Sequence, residues 1–242
     1  MPSPRLRIFA GPNGSGKSTL NSILDKKLLG YYINADDIEK NIHLQGFLDF
    51  SPFLADVNKE DFFSFLSNHP LILKAELDNE IKKLYLSDNK LYFPMITLNS
   101  YYTSVCADYI RHKLLEQKVD FTFETVMSSP DKVDFMRLAK ESGYRVYLYY
   151  IATQDPIINI DRVSNRVKKG GHSVPKEKIE ERYYRSLGLL KKAVSYTDRA
   201  YIFDNSSSDT QKVWLAEITN AEEIEFHTDE IPSWLNDYLI KP

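Results

Sequence analysis

The sequence predicts an α/β fold: a doubly wound, mainly parallel sheet of five strands with a helical insertion after the second. Three observations point to it. Five short runs rich in β-branched and aromatic residues, RLRIFA, YYINA, VDFTFE, YRVYLYYIA and RAYIFD, are separated by segments of helical character. The first run stops at a glycine-rich loop, GPNGSGKST, which opens a helical pattern, so strand, loop, helix and strand form a βαβ unit. YRVYLYYIA is nearly continuous in strand formers, as a central parallel strand covered on both faces should be. Such sheets bind ligands at the carboxyl ends of their strands.

Along the chain, RLRIFA reads as a buried strand. Leu20, Ile23, Leu24 and Leu28 then recur at helical spacing, and Gly30 closes the segment. Residues 41–100 break the rhythm with two helical patterns and no expected strand. One runs through SPFLADVNKEDFFSFL; in the other, LILKAELDNEIKKLY, Leu73, Leu77, Ile81 and Leu84 line one face. This insertion either caps the substrate side of a site or packs on the sheet. A helix over 100–117 holds Cys106 as a small buried hydrophobe. In SSPDKVDFMRLAKESG, Ser129 is placed to cap, Pro130 opens the helix and Gly143 closes it. The stretch from 206 onward supplies a terminal strand and a short helix. The expected organisation is one domain, 1–242, with the insertion at 41–100 and a basic, lid-like segment at 160–194.

At 242 residues and 43% hydrophobic, the chain can bury one substantial core. A net charge of −3 argues against a protein that coats nucleic acid or an anionic membrane. The single cysteine excludes an internal disulfide, and no Cys/His spacing suits a metal. MPSPRLRIFAG is too quickly interrupted to be a secretory signal, and no apolar run is long enough to span a bilayer, so a cytoplasmic protein is expected.

GPNGSGKST satisfies the full GxxxxGK[ST] pattern between a strand and a helix, which predicts the P-loop NTPase fold. Gly11, Gly14 and Gly16 let the N–H groups of the loop, Asn13 and Ser15 included, face phosphate oxygens. Lys17 reaches the outer phosphates and the Ser18 hydroxyl suits magnesium, while Thr19 continues the phosphate-facing turn at the positive end of a helix. NKED at 58–61 imitates a guanine-reading motif but lies too early, and no DxxG occurs; KKGGH at 168–172 lacks the other residues of a transporter signature. ATP with Mg2+ is therefore the expected cofactor, ahead of GTP.

INADDI puts Asp36 and Asp37 just after the second strand. A carboxylate there can take the proton of an acceptor hydroxyl, or the group can serve as an N-terminal helix cap with Asn34. FTFETVMSS ends the third strand with Glu124 and Thr125. Glu124 can act through a magnesium-bound water, bind substrate hydroxyls, or tie down the loop as a structural carboxylate. Ser128 and Ser129 read as cap residues. After the fourth strand, Arg162, Arg166, Lys168, Lys169, His172, Arg182 and Arg185 surround a glycine pair, as in two helices hinged over a phosphate site. Ile179, Tyr183, Leu187, Leu190 and Val194 form the buried stripe of the second helix. The plainer alternative is a charged helix surface with a Glu181–Arg185 pair.

Together, GPNGSGKST, INADDI, FETVMSSP, NRVKKGGHSVP, ERYYRSL and FDNS resemble the zeta toxin family of P-loop kinases, in the bacterial branch often labelled predicted ABC-type ATPases. The resemblance covers most of residues 5–205. It implies a nucleotide-kinase-like fold and ATP- and magnesium-dependent phosphorylation of the amino sugar of UDP-N-acetylglucosamine. It further implies that Lys17 and Ser18 hold the phosphates and metal, that Asp36 activates the sugar hydroxyl, and that Glu124 binds substrate. Arg166 corresponds to a phosphate-contacting arginine, and Arg182 and Arg185 belong to the lid helix. A second such arginine falls at His172, so charge stabilisation shifts to Arg182, and the insertion lies on the side where the sugar nucleotide would bind. A separate small antitoxin is the implied protein partner. The expected activity is thus an ATP-dependent small-molecule kinase. The competitors are a nucleotide-operated switch acting on a protein partner and a nucleic-acid end kinase, the latter disfavoured by the acidic FLADVNKEDFF and AELDNE.

Overall fold

The computed structural model describes residues 3–22, 24–171, 173–207 and 212–241. In chain order its elements are β1 (Arg5–Ala10), β2 (Tyr31–Ile33), α1 (Ala35–Gln45), β3 (Phe47–Asp49), α2 (Lys59–Asn68), α3 (Pro70–Lys74) and α4 (Asp78–Ile81). There follow β4 (Tyr85–Ser87), β5 (Lys90–Tyr92), α5 (Ser100–Glu116), β6 (Phe121–Thr125), α6 (Pro130–Glu141), β7 (Arg145–Ala152), α7 (Pro156–Lys168) and α8 (Lys176–Gly188). The chain ends through α9 (Leu190–Val194), β8 (Arg199–Asp204), β9 (Val213–Thr219), β10 (Glu223–Phe226) and α10 (Ser233–Leu235). Two compact units result: Met1–Gly30 with Asp120–Pro242, and Tyr31–Val119.

The first unit is built on a sheet ordered β10-β9-β8-β7-β1-β6. β1 runs parallel to both β6 and β7, and β7 runs parallel to β8. β9 and β10 continue the sheet antiparallel, so the stretch beyond 206 contributes two strands and the short α10. Leu6, Ile8, Phe9, Ala10, Val146, Leu148, Tyr150, Ile151 and Ala152 are all buried, which is what apolar residues at successive positions of a two-sided central strand require. The register sets Ala10 opposite Thr125 and Ala152 opposite Asp204, so the carboxyl ends of four strands form one rim. Pro130 opens α6 and Gly143 follows its end with φ 83°, as the sequence suggests, but Ser129 holds the cap position without a side-chain hydrogen bond to the helix.

The helix expected after the loop is not formed. Lys17–Ser22 and Lys26–Leu28 are separate 3-10 turns, and Ile23 lies outside the described residues. The leucine spacing is outvoted by Ser18 and Thr19, residue types that bond the local backbone and so compete with a helix. Both the hydroxyl and the N–H of Thr19 donate to Gly16 O, at 2.6 and 3.1 Å.

The second unit contains β2, α1–α5 and a small antiparallel sheet ordered β3-β5-β4, which the helical reading of 41–100 did not include. Its strands have three residues each, too few to display an alternating pattern. The β4–β5 hairpin turns at Asp88 and Asn89, with φ of 51° and 60°, the handedness that primed hairpin turns require. Leu77, Ile81 and Leu84 are buried as expected, but Leu73 is exposed and Ile72 takes its place. The helix stops at Lys74, and Glu76 adopts φ 54°, which resets the phase of the apolar stripe.

The core of this unit is a ring cluster in which Phe62 meets Phe50 at 5.4 Å and Tyr109 at 5.0 Å, both edge to face. NKED proves to be a helix start: the Asn58 side chain caps α2 by accepting from Asp61 N–H. His69 caps α3, its Nδ1 accepting from Leu71 N–H at 3.1 Å, which leaves Nε2 to donate to Asp108 at 3.0 Å. Cys106 is buried, and burial pushes its thiol up to about 12. No helix among the described residues is long and apolar enough to cross a membrane.

Candidate active site

The loop between β1 and the first 3-10 turn is shaped by backbone contacts that only glycine allows. Gly11 has φ 144°, and a Cβ there would lie 2.0 Å from Ile151 O on the neighbouring strand. Inside the loop the Lys17 ammonium donates to Gly11 O at 2.8 Å and Pro12 O at 2.9 Å. The Ser15 hydroxyl is wholly buried without a hydrogen-bond partner among the described residues. A buried orphan of this kind costs about 1–3 kcal/mol unless something satisfies it, and a phosphate oxygen is an acceptor that would. The loop therefore fits a nucleotide phosphate group.

On the same rim, Ser18 Oγ donates to Glu124 Oε2 at 3.3 Å. A hydroxyl beside a carboxylate is a hard-oxygen pair of the kind magnesium uses together with substrate phosphates and water. Among the described residues no group of three His, Cys, Asp or Glu side chains could hold a metal ion. Thr125, the next residue along, is engaged in local structure. Its Oγ1 accepts from Met127 N–H at 3.0 Å, where the chain turns at φ 52°.

The basic segment separates into parts with different settings. Arg162, Asn165, Arg166, Lys169, Gly170 and Gly171 line a pocket of about 510 Å³ with no carboxylate among them. Arg162 also donates to Ser207 O at 3.0 Å. On α8 the expected stripe of Ile179, Tyr183 and Leu187 is buried, and α9 continues it with Leu190 and Val194. Arg182 is half-buried and has no ion-pair partner among the described residues, whereas exposed Arg185 pairs with Glu181 at 2.9 Å. Such a surface pair contributes little to stability. His172 lies outside the described residues.

The helix bearing these arginines is fixed by buried hydrogen bonds. Tyr183 OH donates to Thr153 O at 2.6 Å, and Ser186 Oγ donates to Val126 O at 2.7 Å while meeting Tyr150 OH at 3.0 Å. Burial pushes the Tyr150 and Tyr183 phenols well above their ordinary range, so both remain donors.

Asp36 belongs to the second unit, where it occupies the exposed first turn of α1 beside Asp37. Its N–H donates to Asn34 Oδ1 at 2.9 Å, so the cap of this helix is Asn34 and neither aspartate carboxylate is used for it.

Two residues to which the sequence reading gave no role bear directly on the loop. Asn159, fully buried on α7, donates from Nδ2 to Asn13 O at 2.5 Å, and Thr153 Oγ1 donates to its Oδ1. Asn205, just past β8, donates from Nδ2 to Ser15 O at 2.8 Å. A signal for the first was present, since Asn159 lies on the buried stripe of α7 with Pro156 and Val163, where a polar residue needs a reason.

Comparison with known proteins bears on the fold and on part of the chain. The zeta toxin family model matches residues 100–215. An uncharacterized protein of Haemophilus influenzae is 27% identical over 176 residues, which is 73% of this chain and 90% of that protein. Among solved structures, a chain of the AvrRxo1-ORF1:AvrRxo1-ORF2 crystal structure with sulphate ions superposes with a TM-score of 0.54 at 16% identity, covering 93% of this chain. The same pair crystallised with ATP gives a TM-score of 0.53. This chain spans 61% of the length of that relative, and the likeness is one of fold. The fold is the mixed α/β, mainly parallel P-loop fold that the sequence predicts, and over residues 100–215 the chain resembles the zeta toxin family.

Proposed function

We propose that the protein is an ATP-dependent kinase of zeta-toxin type that phosphorylates a hydroxyl of a small metabolite, with a UDP-sugar such as UDP-N-acetylglucosamine the first acceptor to test. The observation that carries the reading is the phosphate loop with its buried, unpartnered Ser15 hydroxyl and with Ser18 paired to Glu124 on one rim.

Bound ATP and magnesium supply the transferable phosphoryl group and a cation that shields its charge. The N–H groups of Asn13, Gly14 and Gly16, the Ser15 hydroxyl and the Lys17 ammonium bind the phosphates, with Thr19 holding the turn behind them. Ser18 ligates the metal and Glu124 supports it through water or binds the acceptor, with Thr125 and His172 as further acceptor contacts. Asp36 takes the proton from the acceptor hydroxyl. Its support is the resemblance of INADDI together with the exposed carboxylate that Asn34 leaves uncommitted. Arg166 and Arg182 neutralise charge on the transferred group, and Arg185 assists from the same helix. A small antitoxin protein as partner belongs to the same reading, supported by a structural relative solved as an ORF1:ORF2 pair.

The test is a mass-spectrometric search for phosphorylated products after incubation with ATP, magnesium and a panel of UDP-sugars and nucleosides, beside Lys17→Ala. A phosphorylated species absent from the variant establishes the kinase and names its acceptor. Hydrolysis of ATP with every acceptor unchanged overturns it in favour of a nucleotide-operated switch.

A further inference from the structure

A loop whose N–H groups serve an anion must satisfy its carbonyls elsewhere, because a buried backbone acceptor without a partner is costly. Lys17 takes two of them, Gly11 O and Pro12 O. Two more, on alternate residues, are taken by asparagines from remote parts of the chain: Asn13 O by Asn159 and Ser15 O by Asn205. The amide of Asn159 has one orientation available, since Thr153 Oγ1 donates to its oxygen and so leaves its nitrogen for the loop. The main chain of α7 is equally close: a Cβ on Gly14 would lie 2.6 Å from Asn159 O.

We infer that Asn159 and Asn205 are positioning residues of the nucleotide site, holding the Asn13 and Ser15 carbonyls so that the N–H groups of the same peptides, on Gly14 and Gly16, stay committed to phosphate. This rests on the nucleotide-binding reading above. Both act from outside the GxxxxGK[ST] motif and donate through a side-chain N–H that neither Asp nor Ala can supply. Their effect is therefore on phosphate affinity and not only on folding.

The experiment is a titration of wild type, Asn205→Ala, Asn159→Ala, Asn159→Asp and Lys17→Ala with a fluorescent N-methylanthraniloyl ATP plus magnesium, with thermal melting of each free protein. Loss of a partner for a buried acceptor predicts affinity about tenfold weaker for each asparagine variant. Asn159→Asp, which keeps the shape and the bond from Thr153 but lacks the donor, should weaken binding as much as Asn159→Ala. A purely structural role would lower the melting temperature and leave the Kd of the folded fraction unchanged. The inference is overturned if wild type binds while Asn205→Ala and Asn159→Asp bind within twofold of it. Should the Asn159 variants fail to fold, Asn205→Ala decides, because Asn205 is only half-buried. Wild type that does not bind the probe at all refutes the nucleotide reading itself, and this inference with it.

Discussion

The two units of the molecule use their polar and aromatic residues differently. In the unit that holds the phosphate loop, hydroxyls, amides and one ammonium are buried and committed to main-chain atoms: Lys17 to Gly11 and Pro12, Asn159 to Asn13, Tyr183 to Thr153. In the Tyr31–Val119 unit the small sheet displays Tyr85 stacked on Tyr92 at 4.7 Å, while Leu44 and Met95 are 74% and 90% exposed. On the proposed reading the first is a fixed receptor for one kind of group, because a phosphate has a single shape and needs its donors placed in advance. The second sets exposed apolar side chains around a buried ring core, and those in water carry little of the stability.

The largest effect that would sharpen this contrast is on chemistry. Lys17→Ala should cut phosphoryl transfer by on the order of a hundredfold to a thousandfold, as removal of a preorganised charge stabiliser does. Next comes Asp36→Asn, expected to lower transfer by about a hundredfold or more while leaving ATP affinity as in wild type. Transfer at the normal rate in this variant would remove Asp36 from the mechanism. A third substitution addresses stability: Phe62→Ala, at the centre of the second unit's ring cluster, should cost about 3–5 kcal/mol in denaturant unfolding. A loss below 1 kcal/mol would show that this cluster is not the unit's core.

The smallest effect concerns acid. The bond from Tyr109 OH at 2.7 Å, then the nearby Lys113 ammonium, hold the Asp61 carboxyl below its ordinary value. A depressed carboxylate stabilises the fold above the ordinary carboxylate range and loses that contribution as pH falls through its folded value. Asp61→Asn should therefore flatten the fall in stability below about pH 4 that wild type shows. An identical pH profile in both proteins would break this assignment.

How much of this could be read from the sequence depended on distance along the chain. The phosphate loop is contiguous, so its glycines, Lys17 and Ser18 stand together in one motif, and the parallel strands of the first unit announce themselves by runs rich in β-branched and aromatic residues. Asn159 and Asn205 are separated from the carbonyls they serve by 146 and 190 residues, and nothing local marks such a pairing. The short strands of the second unit fail for another reason, since three residues carry no period, although the Asp88-Asn89 pair did advertise a hairpin. Leucine spacing misled twice. After the loop it ignored hydroxyl side chains that favour tight turns, and at Leu73 it assumed an unbroken helix across a residue of positive φ.

The closeness of β7 to the loop restricts what substitutions position 11 can accept. With a carbonyl oxygen already where any side chain would begin, substitution at residue 11 cannot be relieved by choosing a smaller or more flexible residue, because even a methyl group collides with main chain. In a library randomised at that codon and selected for folded, nucleotide-binding protein, glycine alone should be recovered, so repair by a second mutation would require moving a strand.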